Sequence, residues 1–427
     1  MSQPSQIERF VPSAPSIKKH FRDAVLPDEW STPHLEGLID GDAPICYGIL
    51  MPGPHTLGGI PVIKVKDYVR DELKVEGLLC TSPEIDNQYK RSRVKSGDVL
   101  LSIRGGTGDV VIVPDELAGA NITQDTARLR TNRRIDSNYL AICLEGEFVQ
   151  TQIQLETIGQ AVTGINIGSV RQLVIPVPPL SEQREIADIV YAWKNTLKLL
   201  GALIDSKERR KKALMQQLLT GKTRLKGFSK PWIRHRFLDL LEIQDRYVQF
   251  DDEHTYQLVS IRRRSGGIFH REALRGSEIM TKVMKLVHTG DFLISRMQVV
   301  HGALGMVRPE CDGMYASDSY DVMVAKDPGR LYMPFLDWMS RLKSFWHLAY
   351  ISSHGVHIEK MTFKLADFML EKITIPAEIE EQRRIVSVLD ACDHEITLIR
   401  NQRAALDQQK RGLMQRLLTG KLRVKTD

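Results

Sequence analysis

Gly221-Lys222-Thr223 ends like a phosphate-binding loop, in which glycine-rich backbone amides and a lysine cradle a nucleotide. The glycine such a loop needs five positions before Gly221 is Gln216, and a second copy of the segment reads Gly420-Lys421-Leu422. Both copies fall where a helix is predicted to end, so their amides would point away from a phosphate. Gly105-Gly106-Thr107-Gly108 has the composition of a cradle but reads as a tight turn between strands. Pro27-Asp28 with Glu72-Leu73-Lys74 has the residue types of a metal nuclease, across too long a gap. His354 and His357 stand three apart without a third zinc ligand nearby. The sequence has neither a glycine-rich cofactor loop nor an Asn/Asp-Pro-Pro-aromatic motif for adenine methylation. Cys46, Cys80, Cys143, Cys311 and Cys392 are scattered without a CxxC pair, and read as reduced, mostly buried thiols. No catalytic residues and no metal site are predicted, which points to a binding protein.

The remaining chemistry is that of basic and aromatic residues in or beside predicted loops. Tyr89, Lys90, Arg91, Arg93, Arg104 and Thr107 form one set of candidates; Arg263, Arg264, Arg296, Gln298 and His301 form another. Arginine and lysine neutralise phosphates, while arginine, glutamine and asparagine make paired hydrogen bonds to purine edges in the major groove. Taken singly, each is equally an ordinary solvated residue. The net charge of +6 and a pI near 8.9 lean mildly toward a polyanionic partner.

The elements that must carry these residues are repeated. Met215-Gln216-Gln217-Leu218-Leu219-Thr220-Gly221-Lys222 recurs as Met414-Gln415-Arg416-Leu417-Leu418-Thr419-Gly420-Lys421, 199 residues later. The match reaches upstream without a gap to Glu182-Gln183-Arg184 and Glu381-Gln382-Arg383, with 15 identities in 41 positions. Ile186, Val190, Leu197, Leu200, Ile204 and Leu218 in the first copy, and Ile385, Leu389, Ile396, Ile399, Leu413 and Leu417 in the second, keep a 4, 3 spacing. That spacing predicts an apolar seam along two long helices, each closed by the glycine of Leu-Leu-Thr-Gly-Lys. Lys207, Lys211, Arg403 and Lys410 interrupt the seam, and are expected to weaken it or to set its register. Residues 1–175 and 227–375 have β-type patterning, as in Ile60–Val65, Val99–Ile103 and Val110–Val113. They share a framework: Ser96-Gly97-Asp98-Val99-Leu100-Leu101-Ser102 matches Thr289-Gly290-Asp291-Phe292-Leu293-Ile294-Ser295, and Gly164-Ile165-Asn166-Ile167 matches Gly355-Val356-His357-Ile358. The residues between diverge, notably Arg104-Gly105-Gly106-Thr107 against Met297-Gln298-Val299-Val300. Two copies of one binder with different loops is the reading this pattern supports.

Ile175-Pro176-Val177-Pro178-Pro179-Leu180-Ser181-Glu182-Gln183-Arg184 and the two Leu-Leu-Thr-Gly-Lys endings give the chain a family likeness. It resembles the specificity subunit of type I restriction–modification systems (the HsdS family) over essentially its whole length. The second half departs from the pattern at Ile375-Pro376-Ala377-Glu378-Ile379, and the first 25 or so residues match nothing familiar. The resemblance implies an α+β fold with an internal pseudo-two-fold repeat. Two β-rich target-recognition domains, 1–178 and 225–377, would be separated by long spacer helices, 179–224 and 378–427, forming an antiparallel coiled coil. It further implies a non-catalytic chain that binds double-stranded DNA, each domain reading one half of a bipartite, asymmetric site. Two methyltransferase subunits using S-adenosylmethionine, and restriction subunits using ATP and Mg, would be its partners. This chain itself would bind no cofactor.

The alternative is a non-DNA interaction scaffold, two β-rich modules on a coiled-coil spacer; an enzyme is the remaining rival, against the missing motifs. No window approaches the ~18–20 apolar residues of a membrane span, and the amino terminus lacks the pattern of a signal peptide. A cytoplasmic chain without membrane contact is expected.

Overall fold

The computed structural model describes residues 26–69, 72–157, 164–355 and 361–425. Its contacts divide the chain into two compact units, residues 1–201 with 402–427, and residues 202–401. Each unit therefore takes the β-rich stretch, the first half of the helix that follows it, and part of the other helix. This partition differs from one drawn along the sequence, because helix residues are assigned by what they pack against and not by chain order.

The run Val99-Leu100-Leu101-Ser102 shows why the first unit folds as it does. Its three apolar residues and the serine are all buried, the pattern of a strand covered on both faces. Val99 and Leu101 face one core, shared with helices Ser137–Glu145 and Glu147–Glu156. Leu100 faces a second core with Ile63, Val111 and Ile122. The strand is central in an antiparallel sheet ordered Cys46–Tyr47, Thr126–Leu129, Val99–Ser102, Val110–Ile112. A smaller sheet, Leu79–Thr81, Ile60–Ile63 and Asn121–Ile122, closes the second core.

The second unit repeats the arrangement. Phe292 and Ile294 face its main core, and Leu293 faces a satellite core with Val259 and Val322. The sheet runs Leu241–Ile243, Tyr320–Ala325, Phe292–Ser295, Leu304–Met306, and the accompanying sheet Ile268–Arg275, Thr255–Ile261, Tyr315–Ser317, Met284–Leu286. The framework motif recognised in the sequence has a local cause in both units. Gly97 and Gly290 adopt positive φ (82° and 95°). The aspartate after each is buried and bridges its own turn to an arginine: Asp98 to Lys95 N and Arg130, Asp291 to His288 N and Arg246.

Gly48 is a second backbone position with no alternative. A Cβ there would stand 1.9 Å from the Ile122 carbonyl oxygen, where the 46–49 segment hydrogen-bonds the 121–123 strand end. Gly48→Ala is expected to destabilise the first unit by about 2–3 kcal/mol, the cost of overpacking against backbone. Thermal unfolding reads this directly; an unchanged midpoint would mean that the segment yields.

The long helices span Leu180–Leu218 and Ile379–Leu418, 39 and 40 residues, each ~60 Å at ~1.5 Å per residue. Gly221 and Gly420 follow them with φ of 70° and 65°, the left-handed geometry that ends a helix. The glycine-lysine pair is thus a helix stop.

At the helix ends the predicted seam enters the globular cores. Ile186 and Val190 are sunk in the main core of the first unit together with Leu417, and Leu413 packs against it. Ile385 and Leu389 do the same in the second unit with Leu218. In the middle, Leu197, Ile204 and Ile396 are buried, whereas Leu200 and Ile399 are half-buried. An apolar stripe needs only an apolar partner, and here globular cores supply it at the helix ends. The cations interrupting the seam are engaged: Lys207 with Glu395, Lys211 with Asp393 at 2.6 Å, Arg403 Nε with the Leu197 carbonyl at 3.4 Å, and Lys410 with Asp407 at 3.5 Å.

Candidate nucleic-acid interface

The repeated Glu-Gln pair that opens each helix forms a socket, and the same socket is built in each unit. Glu182 is buried and accepts from Arg423 Nε (2.7 Å), Arg423 Nη2 (2.9 Å) and Trp30 Nε1 (3.2 Å). Glu381 accepts from Arg224 Nε, Arg224 Nη2 (2.7 Å) and Trp232 Nε1 (3.4 Å). The arginine comes in each case from just beyond the other helix's Leu-Leu-Thr-Gly-Lys ending. Gln183 receives Asp136 N (2.8 Å) and donates to the Arg134 and Pro178 carbonyls. Gln382 likewise receives Tyr332 N (2.9 Å) and donates to the Arg330 and Pro376 carbonyls. Both glutamines are fully buried, so their amides tie the helix start to the β-rich part with every polar atom used. The motif that carried the family likeness is therefore structural.

The candidate contact residues lie in loops around this frame. Lys90 and Arg91 are exposed on the 3-10 turn Lys90–Ser92, with Tyr89 half-buried before it. That turn is anchored from beneath. The Arg91 carbonyl accepts from Arg128 Nη1 (2.8 Å), and the Tyr89 carbonyl from Ser92 Oγ and Asn121 Nδ2. Arg104 is exposed beside Gly105 and Gly106, in a loop bridged to Gly164; Thr107 is half-buried there. Among the described contacts none joins the 104–107 loop to the 89–93 turn.

Two candidates are drawn into the framework. Arg93 pairs with Asp86, which has no exposed side-chain surface and also accepts from Asn121 Nδ2. Arg296 pairs with buried Asp321 (2.7 Å) and Asp318 (3.6 Å). Hydrogen bonding to the aspartates raises the pKa of both arginines. Buried carboxylates hold their guanidiniums, which leaves less for a ligand.

The other four residues of the second set are brought together. The hairpin between Thr255–Ile261 and Ile268–Arg275 turns through Arg262–Gly267, and the turn docks on the 3-10 segment Val299–His301. Arg264 N donates to the His301 carbonyl (2.7 Å) and Ser265 N to the Gly302 carbonyl (2.8 Å). Arg263 Nε donates to Gln298 Oε1 at 2.7 Å. Arg264 and Ser265 have φ of 59° and 53°, both left-handed without being glycine, at ~1–2 kcal/mol each. Trp346 Nε1 reaches Ser265 Oγ (3.1 Å) and the Ser340 carbonyl (2.7 Å), holding the turn from behind. No sequence signal marked Trp346, Ser265 or Asn121 as supports, because their role depends on packing between distant segments.

Other sequence candidates resolve simply. Among the described residues, no three His, Cys, Asp or Glu side chains are placed to hold a metal ion. Glu72 pairs with Lys198 and His354 with Asp367; His357 lies outside the described residues, as do residues 1–25. The five cysteines form no disulfide. No described helix is long and apolar enough to cross a membrane.

Fold and frame define a class: two similar β-rich modules, each locked to helix ends by a Glu-Gln socket, with dissimilar loops. Known proteins resemble this class. The type I restriction modification DNA specificity domain matches residues 56–207. The EcoBI specificity subunit of Escherichia coli is 32% identical over 163 residues, 38% of this chain; the match spans about a third (34%) of that relative's length. The putative MjaX specificity subunit of Methanocaldococcus jannaschii is 24% identical across 94% of this chain and 95% of its own. The HsdS subunit from Thermoanaerobacter tengcongensis has a similar fold (TM-score 0.50, 19% identity, 93% of this chain and 98% of that one). So has the S subunit from M. genitalium (TM-score 0.54, 13% identity, 91% and 96%). The chain is thus similar to specificity subunits of type I restriction–modification systems, through the matched domain at 56–207 and through relatives along nearly its whole length.

Proposed function

We propose that this chain is the sequence-reading subunit of a type I restriction–modification complex, and that each unit reads one half of a bipartite, asymmetric DNA site. The observation that carries this reading is one frame built twice, with different cationic loops upon it. The same main-sheet order and the same socket recur, while the loops after the equivalent strands differ, Arg104-Gly105-Gly106-Thr107 in one unit and Met297-Gln298-Val299-Val300 in the other. Different loops on equal frames suit unequal half-sites. Lys90, Arg91, Arg104, Arg263 and Arg264 are the proposed contacts, with Tyr89, Thr107, Gln298 and His301 beside them. Arg93 and Arg296 position their loops.

Helices of ~60 Å exceed the ~34–36 Å of one B-DNA turn, so they can hold two readers on separate major-groove segments. Methyltransferase subunits would dock on the helices and modules, supplying S-adenosylmethionine chemistry. Restriction subunits would supply the ATP- and Mg-dependent activity. The chain itself contributes recognition and spacing. Lengthening both helices in their middle by one heptad is expected to change the gap between half-sites and leave the half-site sequences alone. Mapping methylated adenines in cells carrying the complex tests this; an unchanged gap would overturn the spacing role. DNA affinity that does not fall as salt rises would instead favour a scaffold for another ligand.

A further inference from the structure

Arg263 differs from the other arginines fixed in the loops. Arg93, Arg130, Arg246 and Arg296 are each held by a carboxylate, which neutralises them. Arg263 is exposed and is held through Nε alone, by the neutral amide oxygen of Gln298. Gln298 is itself fixed, since its carbonyl accepts from His301 N and Ala303 N and its own N–H donates to the Ser295 carbonyl. The backbone beneath Arg263 is immobilised by the left-handed Arg264-Ser265 pair and its bonds to the His301 and Gly302 carbonyls. Gly302 is needed for this fit: a Cβ there would meet the Trp346 ring at 2.9 Å and the Arg264 Cα at 3.2 Å. Arg262 is kept away from the site by stacking on Phe269 at 3.9 Å.

We propose that Arg263, oriented by Gln298, reads one guanine in the half-site served by the second unit. This rests on the DNA-recognition reading above. With Nε occupied, the two Nη groups are left as parallel donors at the tip of a full positive charge. Two parallel donors require two adjacent acceptors. Guanine offers O6 and N7 in the major groove, whereas adenine offers an acceptor beside a donor. A phosphate would accept such a fork equally well, but would not require that the side chain be fixed beforehand; fixing it lowers the entropy lost on binding. Gln298 is a positioning residue in this scheme.

The test uses the full chain with a randomised duplex library, comparing the wild type with Arg263→Lys, Arg263→Ala and Gln298→Ala at two salt concentrations. Lysine keeps the charge and loses the fork. Arg263→Lys is expected to lose the preference for guanine at one position by roughly tenfold or more, with the other positions and the salt dependence retained. Gln298→Ala is expected to weaken the same position less, and no other. A wild-type motif retained by Arg263→Lys overturns the inference. So does an Arg263→Ala variant that binds all sequences more weakly, with a salt slope lower by about one, because that marks a phosphate contact. A wild-type chain that selects no sequence overturns the DNA reading itself, and this inference with it.

Discussion

Arg224→Ala is expected to destabilise the second unit by about 3–5 kcal/mol, among the largest effects any single change in this chain can have. The substitution leaves the Glu381 carboxylate, 1% exposed, facing only the Trp232 indole N–H at 3.4 Å. A buried carboxylate stripped of its cation costs far more than the intact pair contributes, because desolvation is no longer offset. Arg224 keeps 27% of its side-chain surface and can be rehydrated when unpaired, so Glu381→Gln should cost less than Arg224→Ala. Arg224→Lys is expected to fall between, since one ammonium cannot reproduce the two parallel bonds to Glu381. Arg423→Ala should have the corresponding effect on the first unit, where Glu182 is 2% exposed. Urea unfolding of each variant measures this, and a loss below about 1 kcal/mol for Arg224→Ala would show that the socket is incidental.

Gln382→Ala is the second. Three hydrogen bonds end on this side chain, and none of its surface reaches solvent. Alanine leaves Tyr332 N–H and the Arg330 and Pro376 carbonyls without partners, at about 1–3 kcal/mol for each group that water cannot reach. A total near 3–4 kcal/mol is expected, again by urea unfolding.

Gln382→Glu separates shape from hydrogen bonding. Its carboxylate would face two carbonyl oxygens in a buried site, so its folded pKa must lie above the unfolded value of ~4.3. A raised folded pKa means stability present at low pH and lost as pH rises. Compared with wild type at each pH, the penalty of Gln382→Glu should be smallest below about pH 4. It should grow as pH rises through the folded pKa and then level off. A penalty independent of pH would show that water reaches the site.

Much of this fold could be read from residue patterns alone. The 4, 3 spacing and the closing glycines located both helices to within a residue or two, because helix periodicity and helix stops are local properties. The run at Val99–Ser102 read as a strand for the same reason, and its match at Phe292–Ser295 is a strand too. The partner of the seam was not local. The 4, 3 pattern specifies that Ile186 and Leu417 are covered, but cannot distinguish a second helix from a globular core as the cover.

The candidate contact residues were legible in kind and not in role. Arg93 and Arg263 look alike in the sequence, each a basic residue in a loop. One is paired with buried Asp86 seven residues earlier, and the other is held by Gln298, 35 residues later, with its charge intact. The sequence by itself determined the repeat, the helices, the doubled frame and a family likeness, since these depend on spacing and composition. Tertiary structure alone decided that the Glu-Gln motif is a socket, and that Arg263, Arg264, Gln298 and His301 share one surface. The physical reason is that burial and hydrogen bonding between distant segments determine whether a charged side chain is spent on the frame or left for a ligand.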